Sequence, residues 1–282
     1  MRCKGQDCTN EIPERNGKGR KREHCSDACK QKAYRNREKR NVTKLVLSLF
    51  PGIGLLDRAF EEMGFMVVRG PDLLWGDDIR DFHPEQGHFW GIIGGPPCQA
   101  FSRLRYVVQH NGYESTPNLI PEFERCIREA QPEWFLMENV PDAPLPDIGG
   151  YQVHAQLLNN RWYGGEQHRV RRISFGTHDG RRIDVLGEVF EPVEWAPAVC
   201  ASGGVKPGAT KDNQTKLKYM GWKTKEAFDQ VKRLQGLPDD FELPNFTVPG
   251  AIKAVGNGVP LPLGRAIAQA VRESLEKGRD AE

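Results

Sequence analysis

The chain has 282 residues, 38% of them hydrophobic, and a mean hydropathy of −0.61. No apolar run approaches the ~20 residues that a membrane-spanning helix needs, and the basic, polar start lacks the apolar centre of a signal peptide, so a non-membrane protein of the reducing cytoplasm is expected. The formal charge of +2 hides an asymmetry: residues 1–44 carry 14 Lys+Arg against 6 Asp+Glu, and the remainder 26 against 32. One end of the chain is suited to a polyanion and the body is not.

At roughly 150 residues per domain, one large domain with a small appendage is expected. The appendage, residues 1–41, holds Cys3, Cys8, Cys25 and Cys29, two close pairs separated by a Gly/Lys/Arg-rich loop. Four thiols in two pairs suit tetrahedral zinc. His24 is an alternative ligand, and a basic tail with incidental cysteines is the alternative for the whole segment. So few apolar residues surround the cysteines that a metal is the simplest source of order. A short basic helix is expected from Lys30 to Arg37. The run His24-Cys25-Ser26-Asp27-Ala28-Cys29-Lys30-Gln31-Lys32-Ala33-Tyr34-Arg35 resembles the second half of small zinc-ribbon modules of bacterial and phage proteins.

The body opens with an apolar strand pattern from Val42 to Phe50, which runs into Pro51-Gly52-Ile53-Gly54 and then a helical pattern from Leu55 to Gly64. Strand, glycine turn and helix make a nucleotide-type cofactor loop, because glycine lets a ligand approach the backbone. A second strand, Phe65 to Gly70, ends near Asp72. That acid lies about 20 residues past the glycine turn, where ribose hydroxyls are bound. Asp77 and Asp78 follow; Asp78 is placed either for an adenine amino group or in a solvated loop. Phe89 to Ile93 reads as a buried strand, broken by Gly94-Gly95-Pro96-Pro97 with Cys98 at the tip of the loop. The thiol is offered to a cleft at a strand end, or is a small buried hydrophobe.

Further on, Pro121 to Ala130 reads as a helix and Glu133 to Met137 as a strand ending at Glu138. Gln167 to Phe175 alternates, which puts Gln167, Arg169 and Arg171 on one face and Arg172 on the other. Residues 177–232 are strand-like at first and then rich in lysine, with Lys206, Lys211, Lys216, Lys218, Lys223 and Lys225 beside Tyr219 and Trp222. They form a candidate recognition region in which lysines position phosphates. Residues 233–282 return to the catalytic body, which spans 42–176. Asn257 lies on a Gly-Asn-Gly turn, and Leu261 to Leu275 reads as a helix. The fold class expected is α/β.

Taken in order, Leu49-Phe50-Pro51-Gly52-Ile53-Gly54, Pro96-Pro97-Cys98-Gln99, Glu138-Asn139-Val140, Gln167-x-Arg169-x-Arg171, Gln235-Gly236-Leu237-Pro238-Asp239-Asp240-Phe241 and Val255-Gly256-Asn257-Gly258-Val259-Pro260 resemble the motifs of cytosine-5 DNA methyltransferases. The resemblance covers residues 44 to about 275. Ser48 stands where the family usually has Asp, and Leu55 where a second glycine is common. Both lie at the edge of the cofactor loop, nearest the methionine end of the donor.

The resemblance implies a Rossmann-like methyltransferase sheet and S-adenosylmethionine as donor, lined by Phe50, Gly52, Gly54, Asp72, Asp78, Pro97 and Asn257. It also implies double-stranded DNA as substrate, and a monomer is expected. Cys98 would add to carbon 6 of a flipped cytosine, Glu138 would contact ring nitrogen 3 and the exocyclic amine, Arg171 would bond the ring oxygen, and Arg169 would help hold the base or the Cys98 loop. Residues 99–120 would form a lid. An RNA cytosine methyltransferase and a catalytically silent DNA-binding regulator are the alternatives. The compact chain and its zinc-type module suggest a bacterial cell or a phage-infected host.

Overall fold

A computed structural model of the chain describes residues 3, 8, 10–12, 24–31, 44–97, 117–187, 196–199 and 224–277. They fall into two compact units, residues 1–44 and 45–282. In the first unit, residues 27–31 are helical, beginning ahead of the basic helix expected from Lys30. The rest of the basic helix expected there, residues 32–37, lies outside the described residues.

The second unit is a six-stranded sheet flanked by helices. Its elements are β1 (Leu45–Leu49), α1 (Leu55–Glu62), β2 (Met66–Arg69), β3 (Gly91–Gly94), α2 (Ile120–Ala130), β4 (Trp134–Asn139), β5 (Gln152–Asn159), β6 (Gln167–His168), β7 (Val170–Thr177), β8 (Ala196–Pro197), α3 (Lys225–Leu234), α4 (Val248–Asn257) and α5 (Leu261–Lys277). The strand order is β2-β1-β3-β4-β7-β5. The first four strands are parallel, and β7 runs antiparallel between β4 and β5. A separate parallel pair joins β6 to β8.

Period-two alternation explains why this sheet is covered on both faces. Val46, Ile93, Trp134 and Leu136 enter one core with Phe60 of α1 and Leu263, Ile267 and Val271 of α5. Their neighbours Leu47, Ile92, Phe135 and Met137 enter a second core with Ile120, Phe123 and Ile127 of α2. Each strand is thus apolar at consecutive positions, as a doubly covered parallel sheet requires. A third cluster joins α3 and α4 to Leu55 and Leu261, and so fastens the C-terminal segment beside the glycine turn.

Several elements depart from the sequence reading. The single strand expected over Gln167–Phe175 is interrupted at Arg169, whose backbone N–H donates to the Asn159 side chain. The strand-like first half expected in residues 177–232 reduces, among the described residues, to Ala196–Pro197. Helix α3 crosses position 232, where the recognition region was to end. Asn257 closes helix α4 instead of occupying an isolated tight turn, and Gly258 beyond it is extended.

Strand order places the reactive edge. The chain leaves β1 toward β2 on one side, and β3 lies on the other, so the order reverses between β1 and β3. Ligands of open α/β sheets sit outside the carboxyl ends of strands at such a reversal. Leu49 is paired with Gly94, and Gly94 with Met137. The glycine turn, the Gly95-Pro96-Pro97 loop and Glu138 therefore follow one another along a single edge.

Candidate active site

The glycine turn is built on left-handed backbone. Phe50, Gly52 and Gly54 have φ of 56°, 56° and 79°. Gly54 is the N-cap of α1 and offers no side-chain cap. Above Gly52 an added Cβ would meet no atom within 4 Å, so this face of the turn is open to a ligand. Asp72 fixes the turn from the end of β2: one carboxylate oxygen accepts the Gly52 N–H at 2.7 Å and the other the Leu74 N–H at 2.8 Å. The indole N–H of Trp75 donates to the Gly52 carbonyl at 2.7 Å, and its ring meets the edge of Phe246 at 6.0 Å. Trp75 was not singled out from the sequence. Its signal there was only a large aromatic three residues past a strand-end acid.

Asp78 behaves differently from Asp72. It caps a short 3₁₀ turn by accepting the Arg80 N–H, and both its oxygens face the Arg80 guanidinium. That partner holds the Asp78 carboxyl down at about 2. Its lone pairs are shared with a local cation, which leaves less acceptor capacity for an adenine amine than the sequence alone suggests. Asp77 is exposed.

The next stretch of edge carries the acid. Glu138 is in β4 itself, not after it, and is 9% exposed. The Arg171 Nε lies 2.8 Å from Glu138 Oε1. The other oxygen faces the loop after β3: a Cβ at Gly95 would sit 3.2 Å from Glu138 Oε2, so glycine there lets the loop lie against the carboxylate. Asn139 pins the same loop by donating to the Pro96 carbonyl at 3.1 Å. Arg171 also donates through Nη1 to the Val170 carbonyl, and among the described residues Nη2 has no further partner. Arg172, on the other face, donates to the Ala143 carbonyl. Pro97 is half-buried at the last described position of the loop. Cys98 follows it in the chain and lies outside the described residues, as do residues 99–116 of the expected lid and Lys206, Lys211, Lys216, Lys218, Tyr219, Trp222 and Lys223.

Arg169 is 3% exposed. It donates to the carbonyls of Val199, Gly256 and Gly258 at 2.8, 3.1 and 3.1 Å. Gln167 donates to the Leu234 carbonyl and the Gln235 side chain and accepts the Val199 N–H. Gln235 in turn donates to the carbonyls of Val255 and Gly258. This buried knot satisfies backbone groups at the end of α4 and so fixes the position of Asn257, which is exposed. It explains why Gln167, Arg169, Gln235 and the glycines around Asn257 belong together. The Arg169 guanidinium braces this turn through the three carbonyls. Replacing Arg169 by methionine takes this donor from the buried Val199 and Gly256 carbonyls, while Gly258 keeps Gln235, at about 1–3 kcal/mol for each lost partner before relaxation. A loss of about 3 kcal/mol would lower the melting temperature by roughly 6–12 °C, measurable by calorimetry.

In the first unit the Sγ atoms of Cys3, Cys8, Cys25 and Cys29 all lie within 4.8 Å of one another. Tetrahedral zinc with Zn–S bonds near 2.3 Å requires edges of about 3.8 Å, and Cys8 and Cys25 are 3.5 Å apart. The thiols compete for protons: hydrogen bonds from Cys8 and Cys29 bring Cys25 down to about 7, while Cys8 and Cys25 push Cys29 up to about 12. His24 is not part of the cluster.

The profile of the C-5 cytosine-specific DNA methylase family matches residues 76–197. Among curated relatives, the Type II methyltransferase M.NgoPII of Neisseria gonorrhoeae is 23% identical over 82% of this chain and 96% of its own length. The Type II methyltransferase M.FnuDI of Fusobacterium nucleatum is 26% identical over 82% and 94%. The orphan methyltransferase M.SPRI of Bacillus phage SPR is 23% identical over 70% of this chain and 50% of its own. Among solved structures, the Entamoeba histolytica methyltransferase EhMeth superposes with a TM-score of 0.56 at 12% identity, covering 82% of this chain and 98% of that one. A putative DNA modification methyltransferase from an Escherichia coli prophage gives 0.54 at 18%, covering 82% and 99%. These likenesses establish the methyltransferase fold.

Proposed function

The chain belongs to the C-5 cytosine-specific DNA methylases and is a DNA cytosine-5 methyltransferase, and from that premise we propose that Cys98, Glu138 and Arg171 carry the reaction. The observation that carries this assignment is the Glu138–Arg171 pair, 2.8 Å apart and nearly buried, set against the loop that leads into Cys98.

The chemistry asks for these groups. Carbon 5 of cytosine is a weak nucleophile, and addition of a thiolate to carbon 6 makes it enamine-like. Glu138, through the oxygen that Arg171 leaves open, accepts from the exocyclic amine and, when that oxygen carries a proton, donates it to ring nitrogen 3, which offsets the charge that develops on the ring. Arg171 holds Glu138 through Nε and offers Nη2 to the ring oxygen. Once carbon 5 has been methylated, its proton leaves to a base through water and the Cys98 thiolate is expelled, which restores the aromatic ring and the free thiol. The base must leave the duplex first, at a cost of a few kcal/mol.

The family uses S-adenosylmethionine, which supplies a methyl group made electrophilic by its sulfonium. The open face of Gly52 and the strand-end carboxylate of Asp72 fit such a donor. Phe50, Gly52, Gly54 and Pro97 would line it, Asp72 would hold its ribose, Asp78 would stand near its adenine, and Asn257 would return to it from the end of α4. Double-stranded DNA is the substrate, with residues 177–232 as its reader and the protein acting as a monomer. Among the described residues no helix is long and apolar enough to cross a membrane.

The four N-terminal cysteines would hold one structural zinc, and their basic module would grip phosphate. Chelation should release about one zinc per chain and change the circular dichroism of the full-length protein. Metal analysis that finds no zinc would remove this assignment.

Covalent chemistry is tested by DNA carrying 5-fluorocytosine. Fluorine at carbon 5 cannot leave as the proton does, so the adduct persists after methylation. A denaturation-resistant complex whose peptide map ends on Cys98 is expected. A complex on another residue, or none with DNA that the protein does methylate, would overturn the assignment.

A further inference from the structure

Two departures from the family pattern, Ser48 and Leu55, sit where the glycine turn meets α1, and the structure shows what accompanies them. Ser48 is buried and donates through its hydroxyl to Asp57 Oδ1 at 2.5 Å. Asp57, in the first turn of α1, is fully buried. Its second oxygen lies 3.1 Å from Nε of Arg69, the last residue of β2 and the register partner of Ser48. Arg69 is not buried with it: half of its side chain is exposed. The guanidinium lies over Gly54, so closely that a Cβ there would fall 2.5 Å from Nη2 and 2.7 Å from Cζ. Among the described residues nothing else takes its remaining N–H groups. Beside it the N-terminus of α1 has no side-chain cap, and the first N–H groups of a helix have no partner within it.

The anchored guanidinium, its free donors and the uncapped N–H groups make a cradle for a planar anion at the turn. Of the donor's parts, only the methionine moiety carries a carboxylate. The same turn presents Gly52 and Asp72 to the donor, so that carboxylate is the anion at hand. Asp57 has a definite part: it anchors one edge of the guanidinium from below and leaves the others free, while Ser48 satisfies its other oxygen.

We propose that Arg69, positioned by Asp57 and Ser48, is a donor-binding residue that recognises the carboxylate of the methionine moiety of S-adenosylmethionine. This rests on the donor assigned above. It gives Gly54 a second reason to be glycine, since any side chain there would displace the guanidinium.

Calorimetric titration of the full chain with S-adenosylmethionine and with its decarboxylated form, which keeps the amine, tests this without an activity assay. Wild type should prefer the carboxylate form by about 10- to 100-fold, the range for a hydrogen-bonded ion pair. Arg69→Gln would strand the buried Asp57, so the double variant D57N/R69Q is titrated beside it. In both, the preference should fall at least about tenfold, with affinity for the decarboxylated form held within about threefold. Arg69→Lys should recover part of the preference, because it keeps the charge and loses the fork. Equal weakening of both ligands, or an unchanged preference, would overturn the role of Arg69. Wild type that binds neither ligand would overturn the donor assignment as well, which separates the two failures.

Discussion

A Cys98→Ala variant is expected to lose methyl transfer to DNA by on the order of 10⁵-fold, the scale of removing a covalent nucleophile, while its thermal stability and DNA affinity stay near those of wild type. The size follows from chemistry. Without addition at carbon 6, the ring has no enamine form, and no alignment of a methyl donor compensates for that. None of the described cysteines can stand in. Cys126 is fully buried in α2, and burial pushes its thiol up to about 11. Cys3, Cys8, Cys25 and Cys29 form their own cluster in the other unit. Retained activity in Cys98→Ala would remove the covalent mechanism and leave only the fold.

Loss of Arg171 should have the second largest effect. Arg171→Met takes a donor from the site of developing charge, which costs about 10²- to 10³-fold in kcat where such donors have been removed. It also leaves Glu138 nearly buried without its cation, and breaking a buried pair in that way costs about 3–5 kcal/mol. Two readouts separate these consequences. Thermal unfolding should fall for Arg171→Met and recover in the double variant E138Q/R171M, which strands no charge. The rate should not recover, because neither the acid nor the donor returns. A double variant with near wild-type turnover would show that the pair holds the fold and does not act on the base.

Much of this was legible in the sequence, and what was not has physical reasons. β1, β3 and β4 announced themselves through apolar runs, because strands covered on both faces need apolar residues at every position. β5 did not: its Gln152, His154 and Gln156 are polar, it forms an edge of the sheet, and its pairing with β7 is a tertiary event that local pattern does not encode. Helix α4 was not read from the sequence; its Pro249 stands in the first turn, where proline is accommodated. The strand around Arg169 looked continuous because alternation cannot reveal a residue whose side chain is drawn off to three carbonyls.

The same distinction holds at the site. Glu138 was located by its strand, and its closeness to Arg171 follows from the antiparallel pairing of β4 with β7. The commitment of Asp78 to Arg80 could have been read from their separation of two residues. The Ser48–Asp57–Arg69 chain could not, since it joins three elements. The departure at Ser48 was visible as a departure, and only the fold shows that Asp57 and Arg69 answer it.

The central claim is a methyl group on carbon 5 of cytosine in DNA. It is tested most directly by incubating duplex DNA with the purified full chain and isotopically labelled S-adenosylmethionine, digesting the DNA to nucleosides and separating them by chromatography with mass detection, with RNA treated in parallel. Labelled 5-methyl-2′-deoxycytidine is expected from the DNA with wild type and not with Cys98→Ala. Label on the exocyclic nitrogen of cytosine, on adenine, or in the RNA alone would contradict it.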